Sequence, residues 1–402
     1  MAILQPSHRV SPLRPTAVNS VLAEVRALQS QGVNLVSLLR GEPDFPTPPH
    51  IVEAAERALR QGRTGYPDNR GEPALRAAIA AKLERDNRLR YDPDSEILVT
   101  TGATFGIYAA LAALLNEGGE VLLPEPVYDA YHSPVVLAGG RVRSVPCRIK
   151  NGRFALDVAA LEEAWTPQSS VLLLNTPWNP AGAVFSGAEL EAIGDFVCRK
   201  NLALVCDEIY EALTYDGIQH ISPASLSTEL RERTVVINSL SKTYSMTGWR
   251  AGYCAAPAEI IHAMFLVLQQ SSRGPATFIQ DASAAALSGP QECVERMRTV
   301  YAHRREQVCE ALGGIEGCCV LVPQGGFFAM VDVSGLGISS LEIRRYLMRE
   351  HRVVTMHGSA YGPSGEGTLR VSFGAGGKVL STGLSRLREG LASFHPLRTA
   401  VP

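Results

Sequence analysis

No apolar run in this sequence approaches the ~20 residues that cross a bilayer. The start of the chain, Met1-Ala-Ile-Leu-Gln-Pro-Ser-His-Arg-Val10, has no apolar stretch of the kind a secretory signal carries. Charge of either sign is not in excess: 38 Lys and Arg face 40 Asp and Glu, interspersed along the chain, for a net charge of -2. That balance leaves no electrostatic footprint for nucleic acid. The eight cysteines include no C-x-x-C pair, and the adjacent Cys318 and Cys319 have no Cys or His at ligand spacing. A disulfide framework and a zinc site are therefore not expected. Internal repeats and low-complexity linkers are also missing. These absences predict a soluble cytoplasmic globular protein with no metal, no membrane partner and no nucleic-acid partner.

What is present is enough apolar material for two domains: 402 residues, 46% of them hydrophobic. Apolar spacing predicts a helix over 20–30, capped by Asn19 or Ser20. Pro48 and Pro49 open a second helix through Ala58, and a third runs from Gly71 to Leu83. Strands are expected at 96–100, 120–123, 141–145, 171–174, 203–207 and 234–238, with helices at 103–115, 127–138, 158–164 and 189–199 between them. Short apolar strands alternating with helices predict a largely parallel sheet covered on both faces. Beyond about residue 290 the pattern changes to a long charged helix (293–312), short mixed strands and a last helix (377–391), which predicts a smaller α+β domain.

In open parallel sheets ligands gather at the carboxyl ends of strands, and five polar clusters fall there. Ser239-Leu-Ser-Lys-Thr-Tyr-Ser-Met-Thr-Gly-Trp-Arg-Ala-Gly252 follows the apolar run 234–238 and sets Lys242 directly after two hydroxyls, Ser239 and Ser241, with Arg250 eight residues on. A desolvated lysine is a nucleophilic amine, and hydroxyls plus a guanidinium suit a phosphate. Thr100-Thr-Gly102-Ala103-Thr104 joins a strand to a helix, where free amides bind anions. Asp207-Glu-Ile-Tyr210 puts a carboxylate at a strand end, costly without a cationic partner. Asn175-Thr-Pro-Trp-Asn179-Pro-Ala-Gly182 is a rigid turn, and Pro124-Glu-Pro-Val-Tyr128 carries an aromatic ring past a strand end. Far downstream, Arg370 alternates with Leu369 and Val371 in Thr368-Leu-Arg-Val-Ser-Phe-Gly374, a position suited to clamping a carboxylate. Each cluster alone has a plain structural reading as a cap, a turn, a packed ring or an ion pair.

Together, and with Gly41-Glu-Pro-Asp-Phe-Pro-Thr-Pro and Gly65-Tyr66-Pro upstream, these clusters resemble the class I/II aminotransferases, fold-type I pyridoxal-phosphate enzymes that include aspartate aminotransferase. The resemblance spans nearly the whole chain, with Asn179, Asp207 and Lys242 separated by 28 and 35 residues. It implies an α/β large domain over 46–288, with a mostly parallel seven-stranded sheet, and a small α+β domain made of 1–45 and 289–402. It implies pyridoxal 5'-phosphate as cofactor, with Lys242 forming the Schiff base and shuttling the Cα proton. Asp207 would hold the pyridine nitrogen protonated, while Tyr210 and Asn179 bond the phenolic oxygen and Tyr128 stacks on the ring. The phosphate would be held by Gly102, Ala103, Thr104, Ser239, Ser241 and Arg250. Arg370, with Asn179 and the Gly41 backbone, would clamp the substrate carboxylate. Tyr66 resembles the tyrosine that reaches the neighbouring subunit's phosphate, which implies a homodimer with shared sites. The implied reaction moves an amino group from an L-amino acid to a 2-oxo acid in two stages.

The substrate is less legible. Bacterial aspartate-specific relatives commonly have lysine where Thr104 stands, which argues against a dedicated aspartate enzyme. Arg273 falls in the segment that nears the partner's substrate pocket, and Trp178 and His357 depart from the residues the family often has. An alternative reading is another pyridoxal-phosphate reaction on the same scaffold, as β-lyase, cyclase or oxidase/hydroxylase. A non-catalytic regulator would need a DNA-binding domain ahead of a chain that starts almost at the family's own N-terminus.

Overall fold

Short β-branched and leucine-rich runs build the central sheet of the computed structural model, which describes residues 4–5 and 7–394. The ends of the anticipated small domain, 1–3, 6 and 395–402, lie outside the described residues. The strands are β1 (Ile97–Thr100), β2 (Glu120–Glu125), β3 (Arg141–Pro146), β4 (Ser169–Asn175), β5 (Ala203–Asp207), β6 (Thr234–Ser239) and β7 (Gly252–Ala255). Their order across the sheet is β1-β7-β6-β5-β4-β2-β3. Neighbours run parallel except β7, which is antiparallel to both β1 and β6.

The continuous apolar runs follow from burial on both faces. Val171, Leu173, Val235 and Ile237 pack under helices Ala103–Leu114 and Ala258–Ser271. The alternate positions Leu172, Leu174 and Leu204 face helix Gly187–Arg199, and Val236 faces helices Pro73–Asn87 and Thr277–Ser288. Each such side chain contributes about 1.5–3 kcal/mol of burial.

A second sheet, β8 (Cys319–Leu321), β9 (Phe328–Asp332), β10 (Met356–His357) and β11 (Thr368–Ser372), is antiparallel in the order β8-β9-β11-β10. The N-terminal segment joins this part of the molecule: Val36–Ser37 pairs in parallel with Val353–Val354, and helix Ala17–Ser30 packs Val21 and Val25 with Met348, Val354 and Tyr361.

Three local expectations are corrected. Helix Ala17–Ser30 starts earlier than expected, because Thr16 is the cap and its Oγ1 accepts the Asn19 N–H at 3.4 Å. Pro73, not Gly71, opens the third helix, since proline lacks only an N–H that a first turn leaves unpaired. The expected helix 127–138 is a 3-10 turn, Asp129–Tyr131, followed by a short helix His132–Leu137. A continuous helix would put Pro134 in its interior, where the missing N–H breaks the ladder. Strand β7, the helices 258–271 and 277–288, and a hairpin of Arg148–Lys150 with Arg153–Ala155 were not anticipated.

The segment after β5 is pinned by a buried ion pair. Glu211 accepts from Lys82 Nζ, and from Asn87 Nδ2 at 2.7 Å and Asn238 Nδ2 at 2.6 Å. Beside it, Glu208 accepts from Ser222 Oγ at 2.7 Å and lies 2.9 Å from His220 Nε2. Ligand atoms of Glu208, Glu211 and His220 fall within 4.8 Å of one another, but both carboxylates are already engaged. Removing one charge of such a pair leaves the other buried alone. Glu211→Ala is expected to destabilise the fold by about 3–5 kcal/mol, and Lys82→Met with Glu211→Leu to recover most of it. Chemical denaturation of the single and double variants checks this; equal stability of Glu211→Ala and the parent would refute the pair's role.

Candidate active site

Strands β1, β2, β4, β5 and β6 all end on one edge of the sheet, and a cavity of about 410 Å³ opens there. Lys242 is brought to it by the way the chain leaves β6. Ser239 caps a one-turn helix, Leu240–Thr243, its Oγ accepting the Ser241 N–H at 3.1 Å and lying 2.8 Å from both Ser241 Oγ and the Ala251 carbonyl. Lys242 Nζ donates to the Gly41 carbonyl at 2.8 Å. Burial, aided by the fields of Arg250 and Arg370, lowers its pKa to about 8 against the pull of Glu42 and Asp207.

Gly102, Ala103, Thr104, Ser239, Ser241 and Arg250 form one concave group. Gly102, at φ +83°, is required here: a Cβ would stand 2.6 Å from Arg250 Nη2. Gly252 lets β7 pass under the same turn, since its Cβ would meet Gly102 C at 2.7 Å and Ala103 N at 2.8 Å. Arg250 itself sits at φ 55°, with Nη1 donating to the Thr247 carbonyl at 3.1 Å. Helix Ala103–Leu114 begins at this point, so its unpaired first-turn amides, two serine hydroxyls and a guanidinium converge. The cradle that a side chain at position 102 would fill fits a phosphate group.

Asp207 lies at the floor, 2% exposed. Its Oδ2 accepts from Tyr131 Oη at 2.6 Å and its Oδ1 from the Ile209 N–H at 3.3 Å. Burial pushes its carboxyl up to about 6 despite those donors. A cationic ring nitrogen beside it would reverse that shift. The Asn175 side chain spans the neighbouring strand ends: Nδ2 donates to the Asp207 carbonyl at 2.8 Å and Oδ1 accepts the Asn179 N–H at 2.7 Å. Tyr210 is buried edge-on to Phe327 and Phe328, with centroids 5.5 and 6.2 Å away. Tyr128 stands edge-on to Tyr131 at 5.4 Å.

Arg370, on β11, enters the same cavity from the second sheet. It is 2% exposed, with Nη1 donating to Asn179 Oδ1 at 3.3 Å and Nη2 to the Leu39 carbonyl at 2.8 Å. Its guanidinium carbon stands 4.2 Å from the Phe328 ring centroid. Its Nε is buried without an acceptor, an orphaned donor that a carboxylate would satisfy.

Gly41, Ala103, Thr104, Tyr128, Asn179 and Asp207 therefore line one cavity together with Tyr210, Ser239, Ser241, Lys242, Arg250 and Arg370. Tyr66 does not: it is 89% exposed, with the Arg273 guanidinium 5.7 Å from its ring centroid. Trp178 and His357 also lie off the cavity wall. Trp178 stacks on Phe185 at 5.5 Å and donates to the Pro126 carbonyl at 2.9 Å, while His357 Nδ1 meets Ser359 Oγ at 2.8 Å. Sequence reasoning missed Tyr131, although Tyr128-x-x-Tyr131 places two rings one turn apart. It also missed Asp129 and the cap of the first helix, where Thr16, Val18 and Asn19 line the cavity.

The sequence profile of the family described as aminotransferase class I and II matches residues 33–380. An aspartate aminotransferase of Bacillus sp. (strain YM-2) is 38% identical over 390 residues, covering 95% of this chain and 97% of that one. An aromatic-amino-acid aminotransferase 2 of Thermococcus litoralis is 39% identical over 372 residues, covering 91% and 95%. The crystal structure of an aspartate aminotransferase from Rhizobium meliloti superimposes with a TM-score of 0.93 at 33% identity, covering 96% of this chain and 99% of that one. With that fold, those relatives and a cavity shaped for a phosphorylated aldehyde, the chain belongs to the class I and II aminotransferases, enzymes that depend on pyridoxal 5'-phosphate.

Proposed function

We propose that this enzyme transfers an amino group between an L-amino acid and a 2-oxo acid by a ping-pong mechanism, with Lys242 as its Schiff-base lysine. The observation that carries this reading is the meeting of a low-pKa lysine, a buried carboxylate, a phosphate cradle and a half-satisfied arginine around one cavity. The bound cofactor supplies an electron sink for the negative charge that develops at Cα. Asp207 would anchor the ring nitrogen, with Tyr131 fixing the carboxylate that does so. Asn179 and Tyr210 would bond the phenolic oxygen, and Tyr128 would cover the ring. Arg250, Ser239, Ser241 and the first amides after Gly102 would hold the phosphate.

Arg370 fixes the substrate carboxylate, preset by Asn179 and Leu39 so that little side-chain entropy is lost on binding. Lys242 Nζ, freed from the Gly41 carbonyl, would take the proton from Cα and pass it on within the same half-reaction, and in the second half-reaction would deliver a proton to Cα of the new amino acid. The solvent-facing Tyr66 supports a two-fold homodimer in which it completes the partner's cradle. The absence of a helix long and apolar enough to cross a membrane among the described residues is compatible with a cytoplasmic enzyme.

Lys242→Ala is expected to abolish turnover and the visible absorption of the lysine-bound cofactor; retention of either removes Lys242 from its role. In the cofactor-free protein, modification of Lys242 by a small electrophile should rise with a midpoint near pH 8, below the ~10.4 of an ordinary lysine. A midpoint near the ordinary value would show that burial does not tune this amine. Tyr131→Phe keeps the ring but withdraws a donor from Asp207, and cofactor affinity should fall about tenfold in equilibrium dialysis. An unchanged dissociation constant would show that the hydroxyl is idle. Arg370→Ala should raise KM for every amino acid by about tenfold to a hundredfold, and unchanged KM values would refute the clamp. Turnover of an amino acid that releases ammonia or peroxide without a 2-oxo acceptor would replace transamination with another reaction on this scaffold.

A further inference from the structure

Asp129 is a second carboxylate in the cavity wall, and nothing in the chemistry above uses it. Its Oδ2 accepts the N–H of Ala17 at 2.6 Å. Ala17 is the first residue of helix Ala17–Ser30, so the carboxylate sits at the positive end of that helix, which holds it in place and favours its charge. Its Oδ1 is shut away from solvent, with no full hydrogen bond of its own. Burial raises the carboxyl's pKa, and the amides of Ala17 and Val18 and the charges of Arg370 and His132 oppose the rise.

The same wall is otherwise uncharged: Thr16, Val18 and Asn19 from the start of the helix, with Ile107 and Pro134. Lys242, Arg250 and Arg370 are the cations lining the cavity among the described residues. The proposed chemistry occupies all three, with the cofactor, its phosphate and the substrate's own carboxylate. Arg273, of this same chain, lies outside the cavity against Tyr66.

We infer that the wall formed by Asp129 and the start of helix Ala17–Ser30 is a subsite for amino-acid side chains that are not anionic, and that it rejects aspartate and glutamate as donors. A side-chain carboxylate entering here meets like charge in a partly desolvated space and no free cation among this chain's described residues lining the cavity. A side chain that is apolar, or that ends in an N–H or O–H group, covers the uncharged wall and meets no like charge. The inference rests on the cavity being the amino-acid site.

The test is a spectroscopic titration of the holoenzyme with α-methyl-aspartate and α-methyl-phenylalanine, which have no Cα hydrogen to lose and so report binding without transamination. The aspartate analogue is expected to bind at least about tenfold more weakly. Asp129→Asn keeps an oxygen for the Ala17 N–H and removes the charge, so it should narrow that ratio by about tenfold, by tightening the aspartate analogue. A merely structural role would shift both analogues together. Asp129→Lys should invert the order.

Equal binding of the two analogues by the parent enzyme would overturn the inference. So would a ratio unchanged in both variants, or a preference for aspartate that vanishes in Arg273→Ala. If the analogues bind in the expected order but natural amino acids never aminate the cofactor, the subsite stands and transamination fails. If neither analogue binds, the inference fails, and amination of the cofactor by natural amino acids decides transamination separately.

Discussion

A carboxylate that the fold buries and leaves without a cation is the constraint on which the rest of this site depends. Asp207 closes β5 in the middle of a sheet covered on both faces, and the groups that hydrogen-bond its carboxylate there are neutral. The chain answers with neutral donors, the Tyr131 hydroxyl and the Ile209 amide, which hold the group but leave its pKa raised. Arg370 repeats the pattern from the other sheet: two of its donors are satisfied by Asn179 and Leu39 and one is not. Each group is positioned by packing and lacks a partner of opposite character, which is the arrangement electrostatic preorganisation requires. A flat cationic ring with a phosphate tail, bearing an amino acid, supplies what all of them lack at once.

The return of the chain from β6 to β7 places the lysine. Twelve residues, 240–251, separate the two strands, the lower limit for a helical crossover; they carry only a one-turn helix and a 3-10 turn, and β7 comes back antiparallel. That short return is the segment carrying Lys242, Thr247 and Arg250, and it is forced to turn over the carboxyl edge of the sheet. Gly252 and Gly102 then let the two backbones touch, which brings Arg250 against the start of helix Ala103–Leu114. The one antiparallel strand in a parallel sheet is thus tied to the position of the reactive amine.

The parts of the site that sequence reveals are those set directly at the ends of apolar strands. Asp207, Ser239, Lys242 and Asn179 follow such runs within a few residues, and Arg370 interrupts one, so polarity against an apolar background marks them. Tyr131 and Asp129 stayed hidden because residues 127–138 look like one amphipathic helix, and only Pro134 hints that the segment breaks into a turn and a short helix. Strand β7 is four residues long and opens with glycine, too short for a period to register. Helix Ala258–Ser271 is apolar on most of its surface, Ile-Ile-His-Ala-Met-Phe-Leu-Val-Leu, and such a run does not separate helix from buried strand by periodicity. The exposure of Tyr66 is a tertiary fact with no local signature.

Chemistry and choice of donor come from different parts of the chain, and this explains why the first is legible and the second is not. The residues proposed to act on Cα and on the cofactor sit at or just beyond the carboxyl ends of strands buried on both faces, where a change of one methylene is felt in the core. The groups inferred to meet the donor's side chain come from the start of helix Ala17–Ser30 and from Asp129 in the turn 129–131, segments that no apolar strand run announces. Asp129 connects the two layers. It is a residue of the turn that leads to Tyr131, and it holds the helix that covers the cavity, so the carboxylate that screens the donor and the hydroxyl that steadies Asp207 are set by one short piece of backbone.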